Sequence, residues 1–214
     1  MKKGLWLLIA AAIVVLGLGY TGFLPGLSGL MGTDQMRNLG IDPSAADQQL
    51  ASGVVPGIKE AQGKASLALS SGQLTVLERR YASKTIPVTA DAQVKVNTDG
   101  TAEVSGKLIV DQIPDYARRA GISEEMTRNF VAYLPEKKEV PFYAKVGAEA
   151  AGGDAGLALQ AVELGRIDVP KSALKAANPM MNRLVLQHLR QVTGVDPKTI
   201  RIENGQLLLE GSVR

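Results

Sequence analysis

Cysteine is absent from the 214-residue chain, and histidine occurs once, at His188. The first absence removes thiol catalysis, thiolate metal ligation, disulfides and lipid attachment through an N-terminal cysteine. The second excludes a metal site built from several imidazoles and leaves histidine-dependent catalysis to His188 alone. Excess charge of one sign is lacking too: 24 Lys+Arg stand against 21 Asp+Glu, a net +3. Setting aside Lys2 and Lys3, which flank an apolar segment, leaves 22 against 21. A nucleic-acid face needs clustered Lys/Arg with aromatic or amide partners, and none is present. The pairs Arg79-Arg80, Arg118-Arg119 and Lys137-Lys138 sit beside acids or apolar residues and read as solvated surface. With 45% hydrophobic residues, the composition fits neither a disordered chain nor a disulfide-built mini-scaffold.

The longest uncharged stretch lies at the start. Gly4 to Thr33 contains no charged residue, and its densest part, Gly4 to Leu24, ends at Pro25. Such a run would form a helix of about 31 Å, the thickness of a bilayer's hydrocarbon core. Trp6 at one end and Tyr20 and Phe23 at the other suit the two interfaces, and Lys2 and Lys3 favour a cytoplasmic N-terminus. A cleaved signal peptide shares the positive start. Its apolar core is shorter, however, and the A-x-A triplet of this run, Ala10-Ala11-Ala12, falls in mid-run. The expectation is a single-pass transmembrane anchor over 1–25 in the cell membrane, a Gly-rich spacer over 26–63 with one short helix, and an extracytoplasmic α+β domain over 64–214. Cleavage would change the tether and keep the compartment.

Period-two patterning dominates the rest. Ala65 to Leu69 alternates like a strand, and Ser70 or Ser71 opens a helix placing Leu74, Leu77 and Tyr81 on one face. Ile86, Val88, Ala90, Ala92, Val94 and Val96 alternate, Asn97 to Gly100 supplies a turn, and Ala102, Val104, Gly106, Leu108 and Val110 return. The other face of this ribbon, with Gln93 and Lys95, needs water or polar cover. Short helices begin near Pro114 and after Ser123. Strands follow over 140–148 and 157–169, joined by a Gly-rich turn. After Pro170 a helical pattern puts Met181, Leu184, Val185, His188, Leu189 and Val192 on one apolar stripe. Ile200 and Ile202 pair through Asn204-Gly205 with the last strand. Val94-Lys95-Val96 with Gly100 parallels Ile200-Arg201-Ile202 with Gly205, a weak repeat that convergent hairpin chemistry explains better than duplication. The expected fold is α+β: a curved antiparallel sheet of long hairpins wrapped over one or two helices.

Several short segments carry a family likeness. Arg37 to Asp42, Leu69 to Thr75, Glu163 to Pro170 and Ile202 to Gly211 resemble small single-pass bacterial proteins of the YpmS and LmeA-like kind, over roughly residues 34 to 213. The resemblance implies, by analogy to tubular (TULIP) or AsmA-like half-barrels, a sheet that wraps a helix and leaves an apolar groove. It implies no catalytic motif.

The residues give no catalytic, cofactor or metal site. His188 has no Ser or Asp at triad-like spacing, and Asp111/Asp115 and Glu124/Glu125 are adjacent or i,i+4 acids of the kind found on solvated faces. Gly152 to Gly156 lacks the Gly-Lys-Ser/Thr of a phosphate loop. The candidate apolar groove comprises Met181, Leu184, Val185, His188, Leu189, Val94, Val96 and Val104. The expected function is a non-enzymatic, membrane-tethered domain that binds a lipid or other apolar ligand. Its partners would be the bilayer, an acyl chain and envelope proteins, with no nucleic acid. The alternatives are an envelope scaffold with a closed core and, more remotely, an envelope hydrolase dependent on His188.

Overall fold

The computed structural model describes residues 35–49, 59–61, 64–84, 89–119, 123–131, 139–151, 154–165, 167–172 and 193–213, with 174–175, 178–179, 182, 186 and 189–190 in between. Strands β1 (Lys59–Ala61), β2 (Lys64–Ser70), β3 (Thr89–Val96), β4 (Thr101–Ile109), β5 (Glu139–Ala151), β6 (Asp154–Leu164), β7 (Ile167–Asp168), β8 (Val195–Glu203) and β9 (Gln206–Val213) make two antiparallel sheets. One runs β1-β2-β9-β8 and the other β3-β4-β5-β6-β7. The helices are α1 (Ala45–Gln49), α2 (Ser71–Lys84), α3 (Ile113–Arg119) and α4 (Glu124–Val131). The described residues between 171 and 193 are helical as well.

This architecture corrects the expected one. Strands take up half of the described residues, so the fold is predominantly β rather than α+β. The longest helix with described bounds, α2, has 14 residues. Among the described residues no helix is long and apolar enough to cross a membrane. The single-pass span expected over 1–25 is not among the elements observed and lies outside the described residues. Nor does one curled sheet wrap the helices. The apolar face of β3 to β6 is met by a second sheet, because β2 and β9 pair with Leu67 opposite Leu209 and Leu69 opposite Leu207. Together with Ile200 and Ile202 these leucines form the opposing half of a single core that includes Val94, Val104, Phe142, Val146 and Leu157. Two hydrocarbon faces cover each other, and the helices are displaced to the margins.

Local signals act as their chemistry requires. Ser44 and Asp47 form a reciprocal cap, Asp47 N–H donating to Ser44 Oγ and Ser44 N–H to Asp47 Oδ2. Ser70 and Gln73 repeat it at the start of α2. Asn204 and Gly205 both adopt positive φ, 52° and 72°, as a two-residue hairpin turn demands. This turn and the one at Gly100 approach each other reciprocally. A Cβ on Gly205 would lie 3.7 Å from the carbonyl oxygen of Val96, and one on Gly100 would lie 3.9 Å from that of Ile202. The two segments of the weak repeat thus meet across the sheets in matching positions.

The edges of the five-stranded sheet are closed by side chains. Outward-facing groups of β3 have no strand to pair with, and α2 supplies partners one turn apart. Ser71 Oγ accepts from Val96 N–H at 2.9 Å. Thr75 Oγ1 accepts from Val94 N–H at 2.9 Å and donates to Val94 O at 3.2 Å. Arg79 Nε donates to Ala92 O at 3.1 Å. Four helical residues rise about 6 Å and two strand residues about 6.7 Å, so the two repeats run in step. On the opposite margin Asn178 and Asn182 accept from Leu159 N–H and Leu157 N–H of β6. The outer face receives polar cover from residues 35–44: Leu39 N–H donates to Gln93 Oε1 at 2.8 Å. Arg37 stacks 3.8 Å over the Tyr143 ring and grips both carboxylate oxygens of Glu163.

Thr75 is fully buried. Thr75→Val preserves its shape but orphans both backbone groups of Val94, so urea unfolding of the full chain should show a loss of about 2–3 kcal/mol. Thr75→Ser should recover most of it. Equal stability of Thr75→Val and the parent chain would contradict the edge-closing role.

Candidate functional site

Where the two sheets and two helical segments converge, the core leaves a cavity of about 60 Å³. Leu69 from β2, Leu207 from β9 and Ile202 from β8 form one wall. Val94 and Val96 of β3, Ala102 and Val104 of β4, Val146 of β5 and Leu157 of β6 form the other. Leu74, Leu77 and Glu78 of α2 fill one margin, and Leu189 and Thr193 the other. Each strand residue is present for the same reason: period-two alternation sends one residue in two to the inner face. α2 contributes through the neighbouring positions of its edge-closing row. With Ser71, Thr75 and Arg79 held against β3, the adjacent ridge of Leu74, Leu77 and Glu78 is turned to the interior.

Of the residues expected to line an apolar groove, Val94, Val96, Val104 and Leu189 border this cavity. Met181, Leu184, Val185 and His188 lie outside the described residues. Sequence reasoning missed Glu78. The signal was present: Glu78 stands four residues after Leu74 and next to Leu77, a carboxyl set into an apolar helical face.

Glu78 is the chemically distinctive member. It is 6% exposed and forms no hydrogen bond or ion pair among the described residues. Burial without compensation disfavours its charged form and pushes its pKa from the ordinary 4.5 up to about 7. The other polar wall residue is already satisfied: Thr193 Oγ1 donates to Leu189 O at 2.7 Å and accepts from Val195 N–H at 3.2 Å. The nearest cation in sequence, Arg79, is engaged with the β3 edge. Among the described residues no group of three His, Asp or Glu gathers as a metal site would require.

Such a space can hold hydrocarbon and offer it one carboxyl. Acid–base hydrolysis needs a second, opposed group or a nucleophile, and the described walls supply neither. Set against known proteins, the chain matches no family model, no curated protein and no solved structure. The functional reading therefore rests on the cavity itself.

The raised pKa carries a stability consequence of definite sign. Below pH 4.5 the carboxyl is neutral in both folded and unfolded chains; between 4.5 and 7 the unfolded chain sheds its proton while the folded one retains it. Stability contributed by Glu78 is thus complete below 4.5 and lost as pH rises through 7, by about 3 kcal/mol in all. Unfolding free energies of the parent chain and Glu78→Gln, compared from about pH 4 to about pH 8, should diverge by that amount. Parallel curves would contradict the buried, unpaired carboxyl.

Proposed function

We propose that the chain is a non-catalytic binding module that takes the apolar end of a ligand into the space between its two sheets. The supporting observation is the cavity: about 60 Å³ of space between the two sheets, walled mainly by hydrocarbon and partly open to solvent. Native interiors leave few voids larger than a water molecule, which needs about 10–15 Å³. A ligand that fills such space gains the dispersion contacts its lining lacks. Each methylene transferred from water adds about 0.8 kcal/mol.

Size restricts what enters. A cavity of about 150 Å³ takes benzene, so this one takes a few carbon atoms, a short aliphatic group or the tip of an acyl chain. A whole lipid does not fit without separation of the sheets.

The test titrates the full chain with n-pentane, following methyl resonances by NMR and the unfolding midpoint, alongside native mass spectrometry of the purified protein. Pentane should perturb the methyls of Leu69, Val104 and Leu157 and raise the midpoint. Ala102→Leu, which pushes a side chain into the space, should abolish both effects while remaining folded. If pentane shifts none of these methyls and no apolar molecule travels with the purified chain, the space belongs to the closed core of a scaffold and the binding reading fails.

A further inference from the structure

The one ionisable group among the described residues lining the cavity specifies the head group of what it binds, and this inference rests on the apolar-binding reading above. We propose that the site takes a primary alkylamine, or the amine-bearing end of a larger apolar molecule, with its ammonium on Glu78 and its hydrocarbon among Leu69, Val104, Val146 and Leu157.

Glu78 is held inside an apolar wall with no donor or cation facing it among the described residues. The lining side chains from every strand around it are hydrocarbon, and from the opposite helical segment come Leu189 and a Thr193 hydroxyl already engaged with Leu189 and Val195. Arg79, its neighbour in the chain, is turned to the carbonyl of Ala92. No described residue supplies a partner for the carboxylate, and a ligand carrying a cation can supply one.

An ordinary buried ion pair gains little because both ions must be stripped of water. Here folding has already removed most of the water around one of them. An incoming ammonium meets only its own desolvation cost and gains the Coulomb attraction and a charge-assisted hydrogen bond in a medium of low dielectric constant. A fatty acid would set a second carboxyl against the first, an alcohol would donate one neutral hydrogen bond, and an alkane would leave Glu78 bare. The predicted order is amine, then alcohol, then acid, at matched chain length. An amine tail of three or four carbons suits the volume, and the ammonium needs no metal or further cation.

The experiment titrates the full chain at neutral pH with n-butylamine, n-butanol, butyrate and n-pentane, reading affinity from the cavity methyl resonances. Butylamine should bind at least about tenfold more tightly than butanol, the margin expected for one charge-assisted contact of roughly 1.4 kcal/mol. Butyrate should bind most weakly of the three. In Glu78→Gln the preference for amine over alcohol should collapse to less than about twofold. If that variant does not fold, the ranking in the parent chain decides alone. Pentane and butanol binding without any preference for butylamine would overturn the amine assignment and leave the apolar site standing. Absence of binding by all four would instead remove the apolar site itself.

Discussion

Strand β3 ends its sheet with the amides of Val94 and Val96 facing away from β4, and helix α2 meets them with hydroxyls spaced one turn apart. A buried strand edge without partners would cost several hydrogen bonds, and an exposed one would invite another chain to pair with it. The helix solves both problems, and in doing so its rotation about its own axis is set. Ser71, Thr75 and Arg79 form one row on its surface. Once that row is engaged, Leu74, Leu77 and Glu78 have only the interior to face. The position of the buried carboxyl thus follows from the backbone needs of the neighbouring strand.

The same logic on the far margin uses amides in place of hydroxyls. Asn178 and Asn182 meet the free N–H groups of β6 and hold the helical segment that delivers Leu189 and Thr193. Two helical segments fastened by polar side chains at opposite margins act as spacers between the sheets. Contact between the turns at Gly100 and Gly205 supports the separation at one end. Sheets held apart by fixed supports cannot collapse fully onto each other, which is a physical reason for space to persist where most cores have none. A carboxyl with no partner among the described residues then sits in that space, at a cost to stability.

Most strands were legible in the sequence because they carry their own evidence: alternation over 65–69 and 92–96, and Asn-Gly at 204–205. The alternation expected over 86–96 fails before Ala92, where a bulge with Asp91 at φ 56° buries Thr89 in place of Ala90, and the three-residue β1, inside the expected spacer, has no pattern to mark it. The caps at Ser44 and Ser70 were legible for the same local reason, as were the wall residues Val94, Val96, Val104 and Leu189. The partition into two sheets was not. It depends on β2 joining β9, a pairing of Leu69 with Leu207 across most of the chain, for which no local pattern exists. An apolar strand face demands cover without saying whether helix or sheet provides it, so the expectation of a single sheet over helices was reasonable locally and wrong globally. The edge rows escaped notice because Ser71, Thr75, Asn178 and Asn182 read as ordinary polar positions until a strand edge lies beside them. Glu78 was visible as a break in an apolar face, yet a break alone does not distinguish a solvated glutamate from a buried one.

Amide hydrogen exchange at Val94 and Val96 in the full chain tests the central claim most directly. Both amides face outward from an edge strand and belong to no ladder. If α2 closes that edge, both should exchange as slowly as the ladder amides of β4, and Thr75→Val should release Val94 selectively. Fast exchange at both positions in the parent chain, at the rate of open strand edges, would show that the helix does not hold the edge. The orientation of Glu78 would then lose its cause.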